Sequence, residues 1–245
     1  EKFSSLNTKK HRPARSSRAL GVFSFRSLIS TSPPLMVPAE SRPTLRACGI
    51  IKDMVFRGFT KKAAEILRRG GIGVVPTDTI YGISASAFNS KAVMRVYRLR
   101  QRDLKKPMIV LIGSVADLKK FDVHLLPTTY HLLTRFWPGK VSIVLPCAAK
   151  KFFYLHRGTN SLAFRLPAYP ALRKLLAQTG PLISTSANPA DKPSAKTIAE
   201  AKRYFGNEVD FYVDIGRQDS PPSTLIAVRG GKMKVLREGA VKVRI

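Results

Sequence analysis

Short apolar runs alternate with amphipathic stretches along the chain from about residue 56 onward. The run Ile72–Pro76, bounded by glycines and polar residues, is typical of a buried strand. The stretch after Thr60 instead places its apolar residues at helical spacing, with Thr60 as an N-cap and Gly70-Gly71 at the end. The pattern therefore predicts a helix over Thr60–Arg69, followed by a strand that ends in the polar residues Thr77-Asp78-Thr79.

The same reasoning predicts interleaved helices and strands over the rest of the chain. Further helices are predicted at Ser90–Leu99, after the capping box of Ser114 and Asp117, and at Thr128–Phe136, Pro170–Gln178 and Ala195–Phe205. Further strands are predicted at Met108–Ile112, Val141–Leu145, Leu162–Leu166, Leu182–Ser184, Phe211–Val213, Leu225–Val228 and Lys234–Leu236. Because this order lacks strict βαβ regularity, we predict an α/β or α+β domain around one open, mixed, twisted sheet with flanking helices.

Residues 1–53 differ from the rest, since they are rich in Ser, Arg and Pro and show no sustained periodicity. This composition fits a transit peptide, a disordered tail, or upstream sequence before a start at Met36 or Met54. We predict a division into a basic tail, 1–53, and a catalytic domain, 54–245. The expected location is cytoplasmic, or mitochondrial or plastid if the tail is a transit peptide.

The chain carries 43 Lys and Arg against 15 Asp and Glu, a net charge of +28, and the surplus extends well beyond the tail. Such a field attracts polyanions, which include RNA, DNA and nucleotide phosphates, but it does not choose between them. No apolar run approaches the length of a membrane span. The two cysteines, Cys48 and Cys147, and the four scattered histidines fit neither a disulfide framework nor a protein-ligated metal.

Motifs of covalent catalysis and of the common phosphate loops are absent from the sequence. It contains no GxSxG, no HExxH and no GxxxxGK[ST]. We therefore expect no covalent nucleophile.

Two clusters of hydroxyl side chains follow predicted strands. Pro76–Gly82 has the sequence PTDTIYG, and Ser184–Pro189 has the sequence STSANP. Strand ends are where α/β folds place small polar ligands. The first cluster also fits a turn in which Asp78 caps backbone amides, whereas the second favours a site that faces a ligand.

Basic residues form a third cluster and two isolated positions. Arg98–Lys106 holds five basic residues, a composition that suits a triphosphate or, equally, a solvated helix end. Arg165 and Arg237 lie in or beside apolar strands, where a guanidinium needs an anionic partner such as a carboxylate, a phosphate or a ligand.

Taken in order, these clusters resemble the YrdC/Sua5 family of threonylcarbamoyl-AMP synthases over about residues 59–243. The resemblance is carried by Gly70-Gly71, by PTDTIYG at 76–82, by Lys106-Pro107, and by the motifs FWPG at 136–139, FRLP at 164–167, TSAN at 185–188, ST at 223–224 and LREG at 236–239. It implies a single YrdC-like domain with a concave basic cavity. It also implies a short, YrdC-like form without a further C-terminal domain.

The resemblance implies L-threonylcarbamoyladenylate synthase activity, a nucleotidyl transfer that serves t6A37 modification of tRNA. Threonine and bicarbonate would form N-carboxythreonine, whose carboxylate attacks the α-phosphate of ATP and releases pyrophosphate. The implied cofactor is Mg²⁺ carried with ATP. The implied partners are ATP, L-threonine, bicarbonate, tRNA and a downstream threonylcarbamoyl-transferase complex.

Site residues follow from the family motifs. The resemblance assigns Thr77, Arg165, Ser186 and Ser223 to threonine, with Arg165 facing its carboxylate. It assigns Arg100, Arg102, Asn188, Arg237, Ser194 and Lys196 to ATP, and it implies that Thr79 and Tyr81 shape the pocket.

Two departures from the family pattern bear on the site. Arg100-Gln101-Arg102 stands where the family usually has Lys-x-Arg, and Pro189-Ala190-Asp191 stands where a Ser-Gly pair is common. Arg and Lys are not interchangeable at a phosphate site. The competing interpretation is a double-stranded RNA or tRNA-binding module without catalysis. A carbamoyl-adenylate enzyme of the hydrogenase-maturation type is disfavoured, since the chain has no CxxC pairs.

Overall fold

The computed structural model describes residues 54–229 and 232–243, and the predicted tail 1–53 lies outside them. The described helices are α1 (Lys61–Arg68), α2 (Ser90–Leu99), α3 (Pro127–Thr134), α4 (Phe153–His156), α5 (Pro170–Thr179) and α6 (Ile198–Phe205). The described strands are β1 (Val55–Phe56), β2 (Ile72–Pro76), β3 (Tyr81–Ser86), β4 (Ile109–Leu111), β5 (Val141–Pro146), β6 (Ser161–Arg165), β7 (Leu182–Ser186), β8 (Phe211–Val213), β9 (Thr224–Arg229) and β10 (Lys232–Arg237). Short 3₁₀ helices lie at Val115–Phe121, Lys150–Phe152 and Gly206–Glu208.

These strands form one mixed sheet in the order β1-β8-β2-β3-β7-β4-β6-β5-β9-β10. Strand β8 runs parallel to both β1 and β2, while β3 is antiparallel to β2 and β7. Strand β4 is antiparallel to β7 and parallel to β6, and β5 is parallel to β9. The predicted mixed sheet is confirmed, and it forms the α/β domain of the chain.

Helices cover both faces of this sheet because successive strand residues point to opposite sides. Val74 packs in the larger hydrophobic cluster with α2, whereas its neighbour Val75 packs in the smaller cluster with α1 and α5. Val110 and Leu111 divide between the same two clusters. The strands therefore carry apolar residues on both faces, as expected for a sheet between two layers of helices.

Local capping fixes where three of the helices begin. The side chains of Thr60, Asn89 and Thr197 accept hydrogen bonds from the backbone amides of Ala63, Ala92 and Glu200. Each bond satisfies an amide that has no partner within its helix. Thr197 therefore sets the start of α6 three residues later than the predicted start at Ala195.

Several elements differ from the sequence prediction, which contained neither β1 nor α4. Strand β3 was not predicted, although Tyr81, Ile83 and Ala85 alternate with small residues, and Ile83 and Ala85 pair with both β2 and β7. The helix predicted after Ser114 is a 3₁₀ helix, with the capping box of Ser114 and Asp117 present. Within the described part of the chain, no helix is both long and apolar enough to cross a membrane.

Candidate active site

A cavity of about 240 Å³ opens on the sheet face that carries α1 and α5, next to the area that these helices cover. Paired strand residues on one face supply its floor: Ile109 lies beside Ser184 and Ala163, and Leu111 lies beside Arg165. Loops supply its walls. The predicted site residues that line it are Thr77, Thr79, Arg102, Arg165, Ser186, Ser194, Ser223 and Arg237.

The deepest charge in this cavity is Arg165, at the end of β6, which is only 4% exposed. Its Nη2 lies 3.3 Å from Asp78 Oδ1, and its Nη1 donates to Thr79 Oγ1 at 3.2 Å. Burial lowers the pKa of Arg165, while Asp78 raises it in part and Arg237 lowers it further. The Nε atom of Arg165 and the Oδ1 atom of Asp78 are buried without a hydrogen-bond partner, so the two side chains are held together by charge.

A chain of hydroxyls extends from Arg165 along the wall. The Thr77 hydroxyl donates to the Ile80 carbonyl oxygen at 2.8 Å and lies 2.9 Å from the Thr79 hydroxyl. Since Thr77 has a single hydroxyl hydrogen, Thr79 donates to Thr77 and accepts from Arg165. Thr77 Oγ1 also accepts the amides of Thr79 and Ile80, so its hydroxyl mainly holds this turn.

The contacts of Asp78 fit both interpretations of the hydroxyl cluster Pro76–Gly82, as a turn and as part of a ligand site. One carboxylate oxygen faces Arg165, and the other accepts the backbone amide of Ala168 at 3.2 Å. The turn at the end of β2 therefore fixes the position of Arg165 from across the sheet.

Two further arginines line the cavity nearer to solvent. Arg102 donates from Nε to the Lys106 carbonyl and from Nη2 to the Pro107 carbonyl, at 3.1 and 3.0 Å. Arg237 donates to the Ser223 carbonyl at 2.7 Å. Burial lowers the pKa of both groups, and Arg102 lowers the pKa of Arg237 further. Guanidiniums that repel one another in this way favour a polyanionic ligand.

Arg100 and Asn188, both predicted at the ATP part of the site, lie behind the cavity wall. Arg100 is buried and donates to the Asn188 carbonyl at 2.6 Å, to Asn188 Oδ1 at 3.1 Å and to Thr185 Oγ1 at 2.5 Å. Asn188 Nδ2 in turn donates to the carbonyls of Pro189 and Lys192. Burial, followed by the charge of Arg102, lowers the pKa of Arg100 to about 10. Neither residue lines the cavity, so their assignment to ATP stays a prediction.

Lys196 and Tyr81 also lie outside the lining. Lys196 Nζ forms an exposed ion pair with Asp219 Oδ1 at 3.0 Å. Tyr81 is buried beneath the loop that follows β8, where its hydroxyl donates to the Gly216 carbonyl at 2.6 Å and accepts the Ile215 amide. Burial raises the pKa of this phenol. Tyr81 therefore supports a loop that reaches the cavity and does not form its wall.

Three small residues shape the site without having been assigned to a ligand from the sequence, although Gly82 and Ser184 stand in its two hydroxyl clusters. Ser142 is buried, and its hydroxyl lies 2.9 Å from that of Ser223. Ser184 lines the cavity floor. Gly82 lines it too, and a Cβ at this position would lie 2.5 Å from Ser184 Oγ. Alternation of small and apolar residues along β3 was the available signal, since only one face of that strand meets the cavity.

Within residues 54–229 and 232–243, no group of three His, Cys, Asp or Glu side chains is arranged to hold a metal ion.

Comparison with known proteins places this chain in a family. The sequence profile of the Sua5/YciO/YrdC family, described as "Telomere recombination", matches residues 65–239. The threonylcarbamoyl-AMP synthase of Stutzerimonas stutzeri is 30% identical over 178 residues, which cover 71% of this chain and 94% of that protein. The threonylcarbamoyl-AMP synthase of Cellvibrio japonicus is 33% identical over 149 residues, which cover 60% and 79%.

Comparison with solved structures agrees with the sequence matches. The crystal structure of P. abyssi Sua5 in complex with L-threonine superposes with a TM-score of 0.70 at 27% identity, covering 76% of this chain. This chain spans only 57% of that Sua5 chain. The fold and the cavity define a YrdC-type domain. The chain belongs to the Sua5/YciO/YrdC family.

Proposed function

We propose that this protein is an L-threonylcarbamoyladenylate synthase, which condenses L-threonine, bicarbonate and ATP into threonylcarbamoyl-AMP and pyrophosphate. The observation that carries the proposal is Arg165, which lines a cavity rich in hydroxyls and is paired there with the buried Asp78. The relatives named as threonylcarbamoyl-AMP synthases support it, as does the L-threonine complex of P. abyssi Sua5.

Threonine would lie in the inner part of the cavity. Its carboxylate would pair with Arg165, because a buried guanidinium forms its strongest hydrogen bonds with an anion. Its hydroxyl would meet Ser186 and Ser223, since the Thr77 hydroxyl is occupied by its own turn. Ser142 orients Ser223 from behind.

The chemistry would then need position and charge more than a nucleophilic side chain. The threonine nitrogen and bicarbonate form N-carboxythreonine with loss of water. A carboxylate oxygen of that intermediate forms a bond to the α-phosphorus of ATP, and the bond to the pyrophosphate oxygen breaks. Arg102 and Arg237 would neutralise the negative charge of the phosphates during this in-line transfer.

ATP would enter with Mg²⁺ as its counterion. The described residues that line the cavity include no carboxylate, so phosphate oxygens and water would hold the ion. The charged side chains that line the cavity are guanidiniums. Ser194 would contribute a hydroxyl on the same side.

Arg100 and Asn188 would act on ATP by positioning and not by contact. Arg100 joins the end of α2 to the turn after β7 by three hydrogen bonds, and its own carbonyl accepts the Ala190 amide at 2.6 Å. This connection fixes Ser186 and Ser194, which lie on either side of that turn.

Nucleic acid binding without catalysis is the competing function, favoured by the net charge of +28. A duplex is held by surface contacts to phosphate and sugar and needs no enclosed cavity. The buried pair of Arg165 and Asp78 has no role in such contacts. We also propose that a downstream transferase complex passes the threonylcarbamoyl group of the product to tRNA. The proposed location of the reaction is the cytoplasm.

The decisive experiment is incubation of the protein with ATP, ¹⁴C-bicarbonate and L-threonine, followed by chromatographic detection of labelled threonylcarbamoyl-AMP. Product that requires all three substrates is the expected result. RNA binding with a steep salt dependence and no labelled product would instead favour the competing function.

A further inference from the structure

A second cavity lies on the opposite face of the sheet, between the 3₁₀ helix Val115–Phe121 and α3. Its volume is about 420 Å³, larger than that of the candidate active site. Leu118 and Val123 are buried in its wall and belong to the hydrophobic cluster that packs with α2. We call this cavity the α3 groove, and its other lining residues are Val115, Ala116, Lys119, His124, Leu125 and Tyr130. A ligand in the α3 groove would not compete with one in the candidate active site.

Helix α3, which forms one side of the groove, is poorly covered by the rest of the domain. Leu133 is its one buried residue, whereas α1 and α2 each bury four residues and α5 and α6 each bury three. Tyr130 is 47% exposed where it lines the groove, and Leu126, which follows the lining residue Leu125, is 69% exposed. The apolar surface thus extends beyond the cavity itself, which suits a macromolecular partner better than a small ligand.

The charge of the groove favours an anionic partner. Lys119 contributes an ammonium to the lining, which includes no Asp or Glu. The two carboxylates nearest to it in the sequence are engaged by other lysines. Asp117 pairs with Lys120 at 2.7 Å, and Asp122 pairs with Lys151 at 2.8 Å. Among the residues that the structure describes, no carboxylate pairs with Lys119, so its ammonium is left for an acidic group from outside.

We propose that the α3 groove is the docking site for an acidic amphipathic helix of a partner protein. The large apolar side chains of that helix would fill the groove between Leu118 and Tyr130, and a carboxylate beside them would pair with Lys119. The proposal is independent of the reaction at the candidate active site.

Charge argues against two other occupants of the groove. Residues 1–53 of the chain carry 10 basic and 3 acidic residues, and a second copy of the chain carries the same net charge of +28. Both would be repelled by a groove whose lining has a lysine and no carboxylate. An acidic segment is attracted instead.

The test is selection of linear peptides from a random displayed library on the immobilised full chain. Each round includes an excess of the soluble Tyr130→Ala variant, which keeps the net charge of +28 and so removes peptides that bind through charge alone. The expected result is enrichment of peptides that place apolar residues at helical spacing with Asp or Glu beside them. Failure to enrich any peptide specific for wild type would overturn the proposal, as would enriched peptides without acidic residues.

Fluorescence anisotropy of a selected peptide then measures the contribution of each side chain. Tyr130→Ala is expected to weaken binding by about 5- to 30-fold, the range for an aromatic anchor at an interface. Lys119→Ala is expected to weaken it by about 2- to 5-fold, as for an exposed ion pair. The matched controls are Phe153→Ala, an aromatic residue that is 59% exposed, and Lys150→Ala, an exposed lysine, both outside the groove lining. Both controls are expected to leave the affinity within experimental error.

Equal losses for Tyr130→Ala and Phe153→Ala would overturn the docking site, as would equal losses for Lys119→Ala and Lys150→Ala. The lysine pair keeps the test decisive if Tyr130→Ala does not fold. Sedimentation of the wild-type chain alone tests the second copy. A monomer is expected, and a dimer that Lys119→Ala or Tyr130→Ala disrupts would assign the groove to a second copy and overturn the acidic partner.

Discussion

Arg100 donates hydrogen bonds to both the backbone carbonyl and the side-chain Oδ1 of Asn188, a residue 88 positions later in the chain. Its neighbour Arg102 instead donates to carbonyls of its own loop and lines the cavity. The two arginines of this Arg-x-Arg motif therefore have different roles, and substitutions at the two positions should change different properties of the protein.

Replacing Arg100 by Lys is expected to destabilise the protein by about 1–3 kcal/mol, because one ammonium cannot serve the three acceptors on Thr185 and Asn188. The turn that carries Ser186 would loosen, so kcat should fall along with the melting temperature. Thermal unfolding and ATP kinetics on the same preparation measure both. A raised KM for ATP at an unchanged melting temperature would show that Arg100 contacts the nucleotide directly.

Arg102→Ala is expected to raise KM for ATP by about 10- to 150-fold, the equivalent of a charge-assisted hydrogen bond worth roughly 1.5–3 kcal/mol. Its fold stability should change little, since its present partners are two carbonyls of its own loop. Lys105→Ala, at an exposed position of that loop, is the matched control and should leave KM near wild type. Similar KM values for the two variants would remove Arg102 from the phosphate site.

Threonine is expected to exceed valine by about 100-fold or more in kcat/KM for pyrophosphate release. A site that hydrogen-bonds a substrate hydroxyl leaves its own polar groups unpaired with the analogue that lacks it. Ser186→Ala should lower the ratio of kcat/KM for threonine to that for valine, because Ser186 lines the cavity. Ser161→Ala, on β6 but outside the lining, serves as the control and should preserve it. Equal rates with the two amino acids would contradict the assignment of the threonine pocket.

Asp78→Asn is expected to lower the free energy of unfolding by as much as about 3–5 kcal/mol, because it leaves the buried guanidinium of Arg165 without its carboxylate. The same substitution at Asp122, in its exposed pair with Lys151, should change stability by less than about 1 kcal/mol. Chemical denaturation of both variants measures the contrast. Equal losses would mean that Arg165 is stabilised by other groups.

Cys147 provides a test of stability against pH. Burial, and next the charge of Asp122, raises the pKa of its thiol from 9.0 to about 11. The folded state thus favours the protonated thiol, a contribution that is fully present below pH 9 and is lost as the pH rises through 11. Between pH 8 and 11, wild type should lose up to about 2 kcal/mol more stability than Cys147→Ala. Parallel pH curves for the two proteins would contradict this environment for the thiol.

The sequence predicted most strands because their apolar runs are short, buried and bounded by glycine or polar residues. Strand β3 was missed, since Gly82 and Ser84, on the face opposite Tyr81, Ile83 and Ala85, are residues that also fit a loop. Both side chains are small because this face meets β7 closely, with a Cβ on Gly82 reaching Ser184. The need for small residues on this face comes from β7. In the sequence of Tyr81–Ser86 it shows only as small residues alternating with apolar ones.

Local sequence determined which residue types stand at the ends of the elements around the cavity. Hydroxyls follow β2 and β7, and arginines follow α2 and end β6. It could not determine which of them face the cavity. Gln101 adopts a left-handed conformation with φ of 50°, and the chain turns between Arg100 and Arg102 as α2 ends. Arg100 is then fixed by partners 85 and 88 residues away. Pairing over such distances decides the direction of a side chain, and it exists only once the sheet has brought β3, β7, β4 and β6 side by side.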